Sequence, residues 1–276
     1  MLVVSASYSI HLLLLVGLGV ITGLLSGLLG IGGGVVIVPA LLIIFHSMGL
    51  DPSRLMQYAV GTSLGVMVVN ATSAASFHLK HEKLSGSLLI KLLPCVCLGV
   101  IGGTLLAHFL TTAWLKRIFA ILLLFISYKM IAGKKNIAEQ ANCDRLSLGH
   151  STILGSFVGF CSGLLGIGGG VITVPFLLHR QFAYRPAVII SLLMSLTGAA
   201  TGVLLYMILG LHHGASTPTP KGFIGDVYLS GALLVAIGAV PGTYLASKIM
   251  PYCSVTWLKR VFAILLLLTA AHLLIP

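Results

Sequence analysis

One 20-residue stretch is written twice in this chain. Gly23–Leu42 reads GLLSGLLGIGGGVVIVPALL and Gly159–Leu178 reads GFCSGLLGIGGGVITVPFLL, 15 identities in 20 at an offset of 136. A second pair follows in the same order. Trp114–Leu124 (WLKRIFAILLL) returns as Trp257–Leu267 (WLKRVFAILLL), 10 of 11 identical at an offset of 143. Two weaker echoes lie between: Ala59-Val-Gly-Thr-Ser63 with Ala187-Val-Ile-Ile-Ser191, and Leu98-Gly-Val-Ile-Gly-Gly-Thr104 with Ile237-Gly-Ala-Val-Pro-Gly-Thr243. Four matches in one order exceed what shared apolar composition produces. The chain therefore divides into two homologous halves, residues 1–132 and 151–276, joined by residues 133–150 (GKKNIAEQANCDRLSLGH), its most polar stretch.

The solvent for those halves is lipid. Of the 276 residues, 58% are hydrophobic and 8% charged, and the mean hydropathy is +1.11. Soluble domains carry about 25% charged residues, which is what covers their surface. A soluble enzyme, a nucleic-acid reader and a disordered chain are excluded on these grounds, leaving a polytopic helical membrane protein. The formal charge of +11 is read as loop cations that set orientation against an anionic leaflet, not as a nucleic-acid surface. Met1–Ile10 has no Lys or Arg, so no cleaved signal peptide is expected.

Each half contains five apolar segments, near 11–29, 32–45, 57–77, 88–110 and 114–132, then 151–165, 168–178, 186–209, 227–246 and 256–275. A helix needs about 20 residues to cross the hydrocarbon. The second segment of each half is shorter, begins at a glycine cluster and carries Pro39 or Pro175. Short glycine-interrupted segments at matching positions of two halves point to a transporter's binding site. Five crossings per half give the halves opposite topology. Loop cations then divide ten (Lys80, Lys83, Lys134, Lys135, Arg145, Arg180, Arg185, Lys248, Lys259, Arg260) against four (Arg54, Lys116, Arg117, Lys221). That bias favours inverted repeats with both termini outside. Counting each glycine-broken pair as one crossing makes the halves parallel and leaves almost no bias.

Gly30-Ile-Gly-Gly-Gly34 and Gly166-Ile-Gly-Gly-Gly170 carry the chemistry. A glycine costs a helix about 0.8–1 kcal/mol against alanine, so four in five positions break it. The freed N–H groups cannot stay unpaired in lipid and must be buried in protein or face a polar site. Helices starting at Gly32 and Gly168 aim a partial positive charge at the break. Two such ends meeting at the midplane form an anion site without any side-chain cation. The candidate ligand-binding residues are Gly30, Gly32, Gly33 and Gly34 with Ser26 one turn upstream, and Gly166, Gly168, Gly169 and Gly170 with Ser162. Thr62, Ser63 and Ser191, on the third segments, complete the set, with Asn70 a further candidate. Helix packing is the competing reading of glycine and serine in membranes, and is preferred for Gly99, Gly102, Gly103, Gly238 and Gly242.

Other chemistry is poorly supported. The acids Asp51, Glu82, Glu139, Asp144 and Asp226 lie in or beside polar loops. That argues against carboxylate-coupled cation transport, paired-carboxylate catalysis and acid-rich metal sites. No catalytic residue, metal ligand or cofactor is expected. The glycine run is followed by Val, so it is not a phosphate loop. Asn70-Ala-Thr72 matches a glycosylation acceptor inside an apolar run, and His212-His213 reads as a solvated loop pair. The five cysteines, Cys95, Cys97, Cys143, Cys161 and Cys253, have no disulfide spacing. His46, His78 and His108 sit at segment boundaries, where titration would serve a proton-driven carrier.

The doubled Gly-Leu-Leu-Gly-Ile-Gly-Gly-Gly…Val-Pro, the Ala-Val-Gly-Thr-Ser element and the Gly-Gly-Thr-Leu-Leu-Ala element resemble the TauE/SafE sulfite exporter family, over nearly the whole chain. The resemblance implies an inner-membrane, multi-pass transporter of small sulfur-containing or organic anions such as sulfite, sulfoacetate and related sulfonates. Ala187-Val-Ile-Ile-Ser191 lacks the Gly-Thr pair of that pattern. Its expected partners are a small anion and the bilayer. Two alternatives stand: uptake of thiosulfate or another sulfur compound through Cys161, and a membrane scaffold whose glycines only pack helices.

Overall fold

In the computed structural model, residues 2–29, 32–79, 86–132, 148–180, 182–213, 222–249 and 255–274 are described. Gly30, residues 133–147 of the linker, Lys221, Cys143 and Cys253 lie outside them, as do the side chains of His78, His212 and His213.

The apolar segments form ten helices among the described residues. The first half gives α1 (Leu2–Leu29), α2 (Gly34–Ser47), α3 (Leu55–Leu79), α4 (Gly86–Phe109) and α5 (Thr112–Ala132). The second gives α6 (Leu148–Leu165), α7 (Gly170–His179), α8 (Tyr184–His213), α9 (Leu229–Ile249) and α10 (Val255–Leu274). Stretches of α3, α4, α8 and α9 are long and apolar enough to cross a membrane. The polarity is inverted relative to a soluble protein. Thr22, Ser26, Thr62, Ser63, Asn70 and Ser195 are fully buried, while Ile90, Leu98, Phe109, Ile153, Ile237 and Leu268 face outward. Outward apolar groups meet lipid, and inward polar ones need partners or a ligand.

The short second helices follow from their glycines. Gly32 and Gly33 adopt φ of 70° and 82°, and Gly166 and Gly168 adopt 64° and 75°. Residues with a Cβ are strained there. α2 and α7 have 14 and 10 residues, and at 1.5 Å per residue the shorter covers about 15 Å, half the hydrocarbon thickness.

Small residues set how the helices pack. A Cβ on Gly19, Gly23 or Gly27 of α1 would strike Val235–Ala239, Ala239 and Thr243–Ala246 of α9 respectively, so positions rise together and α1 and α9 run parallel. Gly155, Gly159 and Gly163 of α6 climb in the same way along Leu92–Thr104 of α4. Gly99 and Gly103, and Gly238 and Gly242, supply the reciprocal faces of these contacts. On α3 and α8 the order reverses: Gly61 meets Tyr206 and Gly65 meets Val203, so these two run antiparallel. Each half therefore lends its first helix to the fourth helix of the other. α5 and α10 pair as well, with Ser127 Oγ donating to the Ala263 carbonyl at 2.9 Å.

A two-stranded hairpin, β1 (Phe223–Ile224) and β2 (Val227–Tyr228), precedes α9. It was not foreseen from the sequence. Nor was the setting of Asp226, read there as a loop acid. Its carboxylate is 2% exposed and meets Arg54 at 3.2 Å. Asp51, by contrast, is an exposed loop acid. It accepts from the Ser53 N–H at 2.9 Å and hydroxyl at 2.8 Å, and these bonds hold its carboxyl below the usual range.

Candidate functional site

The two glycine breaks meet in the middle of the bundle. Gly34, the first residue of α2, lies against the Gly166 carbonyl and against Ile167 and Met67. The Ser63 hydroxyl donates to that same Gly166 carbonyl at 2.8 Å. Ser195 of α8 stands between the breaks. Its Cβ is 3.6 Å from where a Cβ on Gly32 would sit, and its N is 3.6 Å from the equivalent point on Gly169. Asn70 of α3 closes another side: its Nδ2 lies 3.5 Å from the Gly32 carbonyl and 3.2 Å from the Cβ position of Gly33.

α2 and α7 leave this point in opposite senses. α2 runs back along α3, from Gly34 beside Met67 to Phe45, whose ring meets the hairpin. Gly169, which precedes α7, faces Met194 and Ser195 of α8. Neither helix start has a side-chain cap. Each therefore directs unspent N–H groups and a partial positive charge at the break.

Ser26 and Ser162, one turn before the glycines, are both buried, and neither Oγ has a hydrogen-bond partner among the described residues. Seven buried side-chain polar atoms share that condition. Four of them, on Ser26, Asn70, Ser162 and Ser195, lie at the breaks or within one turn of them. A partnerless buried polar atom costs about 1–3 kcal/mol; three of these four are serine hydroxyls and the fourth is the Asn70 amide oxygen, an acceptor. None of the described residues bordering the breaks carries a charge.

Of the residues expected from the sequence, Gly32, Gly33, Gly34, Gly166 and Gly169 lie at this junction, with Gly168 and Gly170 beside them in the chain; Ser26 and Ser162 flank it. Gly30 is outside the described residues. Ser63 is there, but its hydroxyl is committed to Gly166. Thr62 is turned to another task, its Oγ1 accepting the Tyr228 N–H at 2.9 Å. Ser191 donates to the Val188 carbonyl of its own helix at 2.8 Å. Ser195 was missed by the sequence reading. Its counterpart in the aligned third segments is Met67, so the internal repeat hides it; only its four-residue spacing from Ser191 on a buried face signals it. Cys161 is buried beside Ser162. Metal chemistry has no support among the described residues, where no cluster of three His, Cys, Asp or Glu groups occurs.

Comparison with known proteins identifies the family. The family model "Sulfite exporter TauE/SafE" matches residues 15–273. A probable membrane transporter protein of Haemophilus influenzae is 29% identical over 95% of this chain and 97% of its own length. One from Methanocaldococcus jannaschii is 31% identical over 86% of this chain and 85% of its own, and one from Bacillus subtilis is 28% identical over 71% and 78%. A multi-pass helical chain whose broken helices meet at a buried polar centre, matched along almost its full length, belongs to the TauE/SafE family of membrane transporters.

Proposed function

We propose that this chain is a secondary transporter of small oxyanions, with sulfite and short organosulfonates as its substrate class and export as its direction. The observation that carries the reading is the meeting of two uncapped helix starts with the partnerless hydroxyls of Ser26, Ser162 and Ser195. Neutral donors in a water-poor setting suit a small anion, because each N–H or O–H can donate to an oxygen without burying a second charge. The family name supports sulfite in particular.

In this reading residues 1–132 and 151–276 are inverted repeats, residues 133–150 are their linker, and the antiparallel α3 and α8 are the core pair. Rocking of one half against the other alternates access to the breaks. The protein sits in the inner membrane. Arg54 and the α5 start lie at one end, where Thr112 Oγ1 donates to the Ser53 carbonyl at 2.7 Å. This end carries the smaller share of loop cations and is assigned to the outside.

The test is flux. Purified protein in liposomes should move sulfite down an imposed gradient, compete with sulfoacetate and ignore chloride at equal concentration. Sulfite flux no greater than in empty liposomes, under gradients of both directions, would remove the reading. Gly33→Val and Gly169→Val should each abolish the flux while the protein still inserts; wild-type flux in both would remove the site.

A further inference from the structure

The hairpin ties both halves together at one end of the bundle. From the first half, Arg54 pairs with Asp226 at 3.2 Å, and Thr62 accepts the Tyr228 N–H at 2.9 Å. Phe45 and Tyr58 pack on the Phe223 ring at 5.8 and 5.2 Å, and Phe223 stacks on Tyr228 at 4.8 Å. From the second half, the Tyr206 carbonyl accepts the Asp226 N–H at 3.2 Å. Thr62 and Met67, which borders the glycine break, are five residues apart on α3, about 7.5 Å of helical rise. The hairpin therefore lies at the α2 C-terminal end, on the side of the breaks toward which α2 runs.

Its construction is that of a moving part. Strands of two residues do not hold a hairpin alone, so its position depends on those contacts. Gly222 and Gly225 adopt φ of 90° and 58°, giving it flexible corners. A buried ion pair adds little net stability over an apolar pair of the same size, and its best-attested use is to select one arrangement over another.

We propose that the hairpin Gly222–Tyr228 is the gate at this end of the transport path, latched by the Arg54–Asp226 ion pair between the halves. The proposal rests on the path through the glycine breaks and adds the device that closes it.

The experiment uses the full chain in detergent with Cys95, Cys97, Cys143, Cys161 and Cys253 replaced by Ser and Met67→Cys as reporter. A charged methanethiosulfonate reagent should label the Met67→Cys thiol slowly while the latch is intact. Asp226→Asn and Arg54→Gln should each raise the rate about tenfold or more, by shifting the population of the open form. The exchange Arg54→Asp with Asp226→Arg should bring it back toward the starting rate. Unchanged labelling in both single variants, in protein that remains monodisperse, overturns the gate.

A disulfide between Thr62→Cys and Tyr228→Cys, in the same background with Met67 restored, offers a second measurement should those variants fail to fold. The oxidised form should stop flux of sulfoacetate, which unlike sulfite does not cleave disulfides, and reduction should restore it; equal flux in both forms overturns the gate. Absent sulfite flux in the wild type counts against the anion reading instead, and the labelling rate still decides the gate.

Discussion

Gly30–Gly34 and Gly166–Gly170 share the same five letters, yet their surroundings differ. At the first break Gly33 has φ of 82°; its counterpart Gly169 has φ of −65°. The carbonyl of Gly166 is already held by Ser63, and Val60 fills the space beside it. The first break is bordered instead by Thr22 and Asn70, while Ser195 stands between the two breaks with its hydroxyl partnerless. The aligned positions explain the contrast. Thr22 faces Val158, Asn70 faces Gly198, and Ser195 faces Met67 across the repeat. The motif dictates a bend, while the third and eighth helices decide how each bend is lined. We propose that the first break is the principal ligand seat and the second its structural support.

The sharpest test of that inequality is to add one methyl to each break. Gly33→Ala places a Cβ at positive φ, 3.1 Å from the Thr22 carbonyl, and should cost about 1–2 kcal/mol in backbone strain alone. Gly169→Ala keeps an ordinary helical φ and brings its Cβ 2.8 Å from the Val158 Cγ1, so its cost is a side-chain shift without backbone strain. The first variant should show much lower sulfite flux and thermal midpoint than the second. Equal losses would make the breaks equivalent.

Ser195→Ala and Ser63→Ala should part in sign. Removing the partnerless Ser195 hydroxyl should leave the thermal midpoint unchanged or higher, while sulfite flux falls about tenfold, the equivalent of 1.4 kcal/mol. Ser63→Ala orphans the Gly166 carbonyl and should cost about 1–3 kcal/mol of stability. A Ser195→Ala protein that is less stable but transports normally would move that residue from the site to the scaffold.

Removing one member of the Arg54–Asp226 pair should cost up to about 3–5 kcal/mol, less in Asp226→Asn, because the Arg54 that remains is 20% exposed and admits water, whereas the Asp226 left by Arg54→Gln is 2% exposed. Ser191→Ala, whose bond stays within its own helix, should change stability by less than about 1 kcal/mol and leave flux intact. Cys161→Ser should behave similarly. Loss of transport in that variant would revive the thiol-based reading.

The fold was legible because its determinants are local and repeated. The short second helices follow from glycines at fixed places, with Pro39 and Pro175 carried inside them, and the crossing helices from long apolar runs. Gly23, Gly27, Gly159 and Gly163 were visible as small residues, but their use as seats for α9 and α4 depends on pairs of helices far apart in sequence. The site was half legible. Ser26 and Ser162 announced themselves by repetition, whereas Ser195 and the freedom of Asn70 arise from differences between the halves. Thr62 and Ser63 showed the right polarity but not their commitments to Tyr228 and Gly166. The hairpin was illegible: two-residue strands leave no periodicity, and Asp226 in a Gly/Pro/Thr-rich stretch looks like any solvated loop acid until Arg54, 172 positions away, is brought to it.

The central claim is that a small oxyanion binds where the glycine breaks meet. Thermal unfolding of the purified wild type and of Ser195→Ala, each titrated with sulfite and with chloride as control, tests it most directly. Binding to the native state alone stabilises by about 2.7 kcal/mol at 100 times Kd, so the wild-type midpoint should rise with sulfite and not with chloride, and the rise should shrink in Ser195→Ala. A sulfite response of equal size in both proteins, or none in the wild type, would contradict the account.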